Sequence, residues 1–416
     1  MSRYNMDIDM NLNLTNNNNN TFRIQHYANQ FTTYLQNENY DLLAKLLSIN
    51  GEHSKNLARA LDSGIARYED VQYNFTKPWS DIIASHFKVL LSYYRREYIN
   101  AFNAQLALVN LFSREAFTNS NLHIFYVMNW DLRKVAIEAD KELRQSGQKP
   151  KYLEETGRVL NKSFSICVTD RAPKNASRQW GTYYIANLLI KTHHKLGHEN
   201  LCKNVLRGVN SADLPPLEAY PKAHQITFKY YNGLLCFADQ QYAQSEEFLK
   251  GAFRICPISY TRNKELILRY LIPVWMIRGV LPTNTLIDRY PRLKLLYSPF
   301  INAIRTGNVK AFDLAFANAE HILIEHGTYL TIEKARMVSV KNLFKKVWIH
   351  NNEVSKLPMS QFSAALRFAG IDADMAEVAW TLSVMIHKGF IKGYLSQSKL
   401  MVVLSTKEPF PSQVNV

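Results

Sequence analysis

Two stretches of this 416-residue sequence carry residue types that hold metals or hydrolyse bonds. HHKLGH brings together His193, His194 and His198, and HILIEH runs from His321 to His326. Adjacent residues on a helix project about 100° apart, so His193 and His194 do not readily face one ion. Their placement near a helix C-terminus, where cations are favoured, is the simpler account. A zincin motif starting at His321 requires a glutamate next and a histidine four residues on, where Ile322 and Glu325 stand. The inverse motif ending at Glu325 and His326 requires a histidine in place of Ile322. No P-loop, no GxGxxG after a strand and no GxSxG elbow occurs. Cys167, Cys202, Cys236 and Cys256 are spaced by 35, 34 and 20 residues, without a CxxC. They sit among apolar neighbours with helical spacing, which predicts reduced, buried thiols of an intracellular protein. No catalytic set, metal or cofactor is expected, so the chain reads as a non-enzyme.

The remaining chemistry is charge. Lys and Arg number 50 against 35 Asp and Glu, a net +15 that favours an acidic partner: nucleic acid, an anionic surface or an acidic protein. One candidate set for contact with phosphates is Lys341, Lys345 and Lys346, on a helix predicted over 332–350, with Lys388, Lys392 and Lys399 close to the end of the sequence. The same lysines also suit a solvated face or a protein interface, with their stems covering apolar surface. The helix before Lys388 offers Glu377, Thr381, Ser383 and His387 but no Arg, so binding to RNA or DNA is expected with little sequence preference. A second set, Arg262, Lys264, Arg269, Arg278, Arg289, Arg292 and Lys294, suits an acidic peptide, or equally helix ends that face water.

The elements that position these residues are predicted to be almost all helical. Residues 1–21, with five consecutive Asn, are expected to be a disordered tail. From Phe22 apolar residues recur at i, i+3 and i+4, as in Leu42, Leu43, Leu46 and Leu47. Short breaks separate the helices at 77–80, 145–151, 170–177 and 211–216, a density that suggests stacked helical hairpins. One segment fits the 34-residue hairpin template, with Gly233, Tyr242, Ser245, Leu249, Ala252 and Pro257 in its slots. No clean second copy is visible, so the repeat is degenerate. No strands are expected before residue 390. The expected organisation is helical repeats over 22–215, helical hairpins over 216–330, a terminal module over 331–409 and a short tail.

In that module, helix 332–350 places Leu343, Phe344, Val347 and Trp348 on its apolar side, and Lys341, Lys345 and Lys346 elsewhere. Ser360 is expected to cap a second helix that buries Phe362, Ala365, Leu366 and Phe368. Asp374 and Glu377 predict a capping box for a third, which buries Val378, Leu382, Met385 and Ile386 and ends at Gly389. GFIKGYLSQSKLMVVLS then reads as a hairpin with Leu400, Val402 and Leu404 inward. A lone hairpin is marginal, so it must pack on the helices, and three helices plus a hairpin make a winged helix. No basic-then-apolar leader and no span long enough for a bilayer is seen, so a cytosolic or nuclear protein away from membranes is expected.

Helical repeats that end in a winged helix resemble the PCI domain. ITFKYYNG at 226–233, YLIPVWMIRGVLPT at 270–283, KNLFKKV at 341–347 and GFIKGYLS with the later EPFP at 408–411 resemble the PCI-domain-containing protein 2 family. That family also holds the fungal signalosome-associated subunit 12 and Thp-type proteins. The resemblance is strongest over Ser163 to Pro411 and does not include the Asn-rich start. It implies a non-catalytic scaffold that pairs with a GANP-like (Sac-type) helical subunit and a small acidic Sem/DSS-type subunit. In a TREX-2-type complex its winged helix would serve a nucleic-acid platform for mRNA export. The implied location is the nucleus, with pore association and a cytoplasmic share. Membership of a signalosome-associated or splicing-linked assembly is the other implication.

Overall fold

The computed structural model describes residues 24–65, 67–70 and 72–413, so the tail expected over 1–21 lies outside the described residues. The described residues fall into two compact units, one ending at Tyr231 and the other beginning at Asn232. The first is built from α1 (Ile24–Gln36), α2 (Tyr40–Leu46), α3 (Glu52–Asp62), α4 (Trp79–Tyr94), α5 (Tyr98–Glu115), α6 (Leu122–Gln145), α7 (Tyr152–Val168), α8 (Thr182–Leu196), α9 (Glu199–Ser211) and the start of α10 (Lys222–Ala238). Consecutive long helices pack as hairpins, α4 on α5, α5 on α6 and α7 on α8. Their shared core holds Phe102, Phe112 and Phe125.

Two of the breaks seen in the sequence, at 145–151 and 170–177, are held by carboxylates. Asp140 on α6 accepts from the backbone N–H groups of Lys151, Tyr152 and Leu153 at 2.8–3.0 Å, capping α7 from twelve residues away. Asp170 takes Ser177 Oγ and three N–H groups of Arg178, which fixes the loop between α7 and α8. Each satisfies donors that a helix start or loop would otherwise leave unpaired. All four cysteines are free thiols; Cys167, Cys202 and Cys256 are buried and Cys236 is half-buried.

The second unit continues with α11 (Tyr242–Ile255), α12 (Thr261–Ile277), α13 (Asn284–Ile287), α14 (Pro291–Thr306), α15 (Val309–His326) and α16 (Tyr329–His350). Its first hairpin has the packing that the repeat template requires. A Cβ on Gly233 would lie 2.7 Å from Leu249 Cγ and 3.3 Å from its backbone nitrogen. Ser245 Oγ donates to Gly233 O at 2.8 Å, Leu249 and Ala252 are fully buried, and α11 stops just before Pro257. We expect Gly233→Ala to lower the stability of this unit by about 1–3 kcal/mol, because overpacking outweighs the gain in helix propensity of up to ~1 kcal/mol. The denaturant midpoint of the variant measures this, and an unchanged midpoint would mean that Leu249 moves aside freely.

The last module follows as β1 (Lys356–Pro358), α17 (Met359–Phe368), α18 (Met375–His387), β2 (Gly393–Ser396) and β3 (Met401–Leu404). The sheet is antiparallel with order β1-β3-β2. Leu357 and Leu395 both face Val402 across it. The wing is therefore three-stranded, and the strand at 356–358 corrects the expectation of none before 390. Gly393 allows the close pairing, since a Cβ there would meet Val403 O at 2.3 Å. The capping box forms as expected: Asp374 accepts from Glu377 N–H and Glu377 accepts from Asp374 N–H.

Three local expectations are corrected. Pro358, not Ser360, precedes α17, because Met359 N–H is held by Leu400 O at 2.9 Å where the chain leaves β1. Phe368 is 92% exposed, since it lies about 200° around the helix from buried Leu366. Leu400 is exposed and adopts φ 49° in the turn between β2 and β3, so it does not join Val402 and Leu404 in the core. Among the described residues no helix is long and apolar enough to cross a membrane.

Candidate nucleic-acid interface

The six candidate lysines of the last module do not share one environment. Lys341 is only 3% exposed, which corrects its expected position away from the apolar side of α16. Its Nζ donates to Pro411 O at 2.8 Å. Burial pushes the ammonium down to about 8, the charge of Lys345 adds to this and Glu408 opposes it. Lys341 is thus an anchor inside the unit and is not presented to a ligand. Lys346 donates to Thr306 O at the end of α14, and Lys345 beside it is exposed. Lys388 is exposed at the C-terminal end of α18, and Lys399 is exposed in the turn of the wing. Lys392 pairs with Glu408 at 3.2 Å.

Residues 405–413 run back as a strap, which neither helical nor strand periodicity in the sequence announces. Lys392 N–H donates to Pro409 O and Ser405 N–H to Lys392 O, both at 2.8 Å. Phe410 is buried against Trp348, with ring centroids 5.8 Å apart. The EPFP motif is the sequence signal for this strap: Glu408 meets Lys392, Phe410 meets Trp348 and Pro411 meets Lys341.

The outward side of α18 exposes Glu377, Trp380, Ser383 and His387, with Trp380 at 67%, and the helix carries neither Lys nor Arg. Base edges of G are read best by bidentate Arg or Lys, so this helix is poorly equipped to read sequence. The accessible cations lie at its C-terminal end and on the wing. That arrangement suits a phosphate backbone, to which cations add salt-dependent affinity without specifying bases.

The second basic set is divided as well. Lys264 is buried, donates to Phe253 O at 2.8 Å and lies over the Phe253 ring. Arg278 and Lys250 both pair with the buried Glu246 carboxylate, which also accepts from Trp275 Nε1 at 3.1 Å. Arg269 is half-buried, and Lys294 pairs with Asp288 at 3.0 Å. Arg262, Arg289 and Arg292 are exposed. Lys264 and Arg278 therefore hold the unit together, and the solvent-facing members lie near the starts of α12 and α14.

The histidine motifs gather no metal site: among the described residues no group of three or more His, Cys, Asp or Glu is placed to hold an ion. His193 and His194 occupy the last turn of α8, and the His193 ring packs where a Cβ on Gly157 would be 3.2 Å away. His326 ends α15, and burial pushes its imidazole down to about 4.

Helical hairpins followed by a winged helix with a three-stranded sheet define a PCI-type helical scaffold. No family model matches the chain. Over 414 residues it is 35% identical to Protein CSN12 homolog of Schizosaccharomyces pombe, which covers 94% of this chain and 97% of that protein. Over 396 residues it is 30% identical to PCI domain-containing protein 2 of Danio rerio, covering 93% and 97% respectively. It is also 30% identical to Enhanced ethylene response protein 5 of Arabidopsis thaliana over 405 residues, covering 94% and 95%. The chain belongs to the family of CSN12 homologs and PCI domain-containing protein 2.

Proposed function

We propose that this chain is a non-catalytic scaffold subunit of a nuclear TREX-2-type complex that supports mRNA export and transcription-coupled mRNP processing. Its winged helix holds RNA or DNA by the backbone. The observation that carries this reading is the group of exposed cations Lys345, Lys388, Lys392 and Lys399 beside a third helix without Arg or Lys. A GANP-like helical subunit and a small acidic subunit of the Sem/DSS type are its partners, and Arg262, Arg289 and Arg292 are the exposed cations offered to the acidic one. It works in the nucleus, in part at the pore, with a cytoplasmic share.

The test is RNA binding by Lys388→Glu/Lys392→Glu/Lys399→Glu, measured by fluorescence anisotropy across a salt series. For a single strand, each phosphate that is no longer neutralised reduces the log–log salt slope by about 0.7. The triple variant should bind at least about tenfold more weakly at low salt, with a slope shallower by up to about 2. Binding equal to that of the unaltered chain overturns the nucleic-acid role.

A second reading rests on a different observation. The exposed Trp380 on a helix face without cations suits a protein interface. Under it the chain is a structural subunit of a signalosome-associated or splicing-linked assembly and binds no nucleic acid itself. The name of the S. pombe relative, Protein CSN12 homolog, agrees with that alternative. Trp380→Ala that abolishes assembly with a helical partner, in a chain whose lysine triple variant is silent, would favour it.

A further inference from the structure

We propose that Glu408 is an internal competitor for nucleic-acid phosphate: in the free chain its carboxylate occupies Lys392, and a backbone phosphate binds by displacing it. The inference rests on the nucleic-acid reading above and concerns the regulation of that same site. Three observations carry it. Glu408 Oε2 lies 3.2 Å from Lys392 Nζ, with both side chains about half exposed at 57% and 50%, so the pair is open to exchange with solvent anions. The second oxygen, Oε1, accepts from Ser412 N–H at 3.4 Å, and the strap around it is fixed at Pro409 and Pro411. The carboxylate is therefore delivered to the cluster by backbone that is itself held in place.

The third observation is room. An open cleft of about 560 Å³ is lined by His387, Lys388, Gly389, Lys392 and Glu408, together with the strap at Pro411 and Ser412. A phosphate that enters it meets Lys388 and Lys392 once Glu408 has turned away. The carboxyl is held below its usual range first by its hydrogen bond to Lys392, and also by Ser412 N–H and the charge of Lys345. Glu408 is therefore ionised at neutral pH and acts as a fixed negative charge within a basic cluster. A carboxylate and a phosphate oxygen make the same kind of charge-assisted bond to an ammonium, so only one of them can use Lys392 fully at a time.

Glu408→Gln keeps the shape of the side chain and an acceptor for Ser412 N–H, but removes the competing charge. Exposed ion pairs are weak, so the expected gain is modest: about two- to fivefold tighter binding of a labelled single-stranded oligouridine. The salt slope should stay nearly unchanged, because Lys392 neutralises a phosphate in both complexes once Glu408 has turned away, and only the cost of displacing the carboxylate differs. In a Lys392→Gln background the Glu408→Gln change should have no further effect, which separates competition at Lys392 from a general change in charge. An unchanged melting temperature for Glu408→Gln shows that the strap stays in place.

If Glu408→Gln matches the unaltered chain in affinity while the lysine triple variant binds more weakly, the competition is wrong and the nucleic-acid reading stands. If Glu408→Gln tightens binding equally with and without Lys392, the effect is long-range charge and the proposal is overturned. If neither the unaltered chain nor Glu408→Gln binds RNA, both fail.

Discussion

A chain that ends at residue 388 should lose the cooperative unfolding of its C-terminal unit. Residues 389–413 contribute five side chains to the core, Phe390, Ile391, Val402, Leu404 and Phe410, each at most 4% exposed. Burying a large apolar side chain stabilises by roughly 1.5–3 kcal/mol, so the loss is about 7–15 kcal/mol before relaxation. A whole domain is stable by about 5–15 kcal/mol. The truncation also uncovers Val378, Leu382 and Met385 on α18 and removes the Pro411 carbonyl from the buried Lys341 ammonium. An unpartnered buried charge carries a further cost. Hydrogen exchange followed by mass spectrometry should show α16–α18 losing protection, while α4–α6 in the other unit keep theirs. Retained protection of α18 in the truncated chain would contradict the role given to the wing and strap.

What was legible in the sequence was local. The capping box needs only Asp374 and Glu377, three residues apart, and both halves form. Gly233 and Leu249 belong to one helical hairpin, so a repeat template finds their close approach. Alternation in 389–405 shows the wing because a strand exposes every second residue. What was missed depends on residues far apart in the chain. Lys341 is buried because a strap seventy residues later supplies a carbonyl, and nothing in KNLFKKV separates it from Lys345. The start of α17 is set by a bond to Leu400, not by the Ser360 side chain. β1 is three residues ending in proline, too short for alternation to register. Of the candidate interface, the lysines of the wing were legible as exposed positions, but Glu408 as the partner of Lys392 was not, because the pairing is made by the fold.

Acid should weaken the N-terminal unit through His86, and replacing that residue should remove the effect. His86 on α4 is fully buried. Burial pushes its imidazole down to about 3, the charge of His53 adds to this, and the Leu46 carbonyl opposes it. In the unfolded chain a histidine titrates near ~6.5. Between these values the unfolded state binds a proton that the folded state refuses, so stability rises with pH across the window. The contribution is complete above ~6.5 and declines as pH falls, by about 1.4 kcal/mol per unit. From pH 6.5 to pH 4 that is about 3 kcal/mol for a group wholly inside the unit. Asp131 in the same unit works the other way. Burial raises its carboxyl to about 7, against the opposing N–H of Ile49, Lys134 and neighbouring donors. The folded state thus holds a proton there that the unfolded state loses above ~4, and this part of the stability falls as pH rises. The two slopes partly cancel in the natural chain, so its own pH profile is a poor readout of either group. The difference between the unaltered chain and His86→Leu isolates the histidine, because Asp131 is common to both. Urea unfolding followed through the N-terminal unit should find the gap between the two proteins shifting by about 3 kcal/mol between pH 7 and pH 4, in favour of the leucine variant. Asp131→Asn should do the reverse, leaving the histidine slope uncovered and the unit more sensitive to acid. Parallel stability curves for all three proteins would mean that His86 takes up a proton without unfolding the hairpins around it.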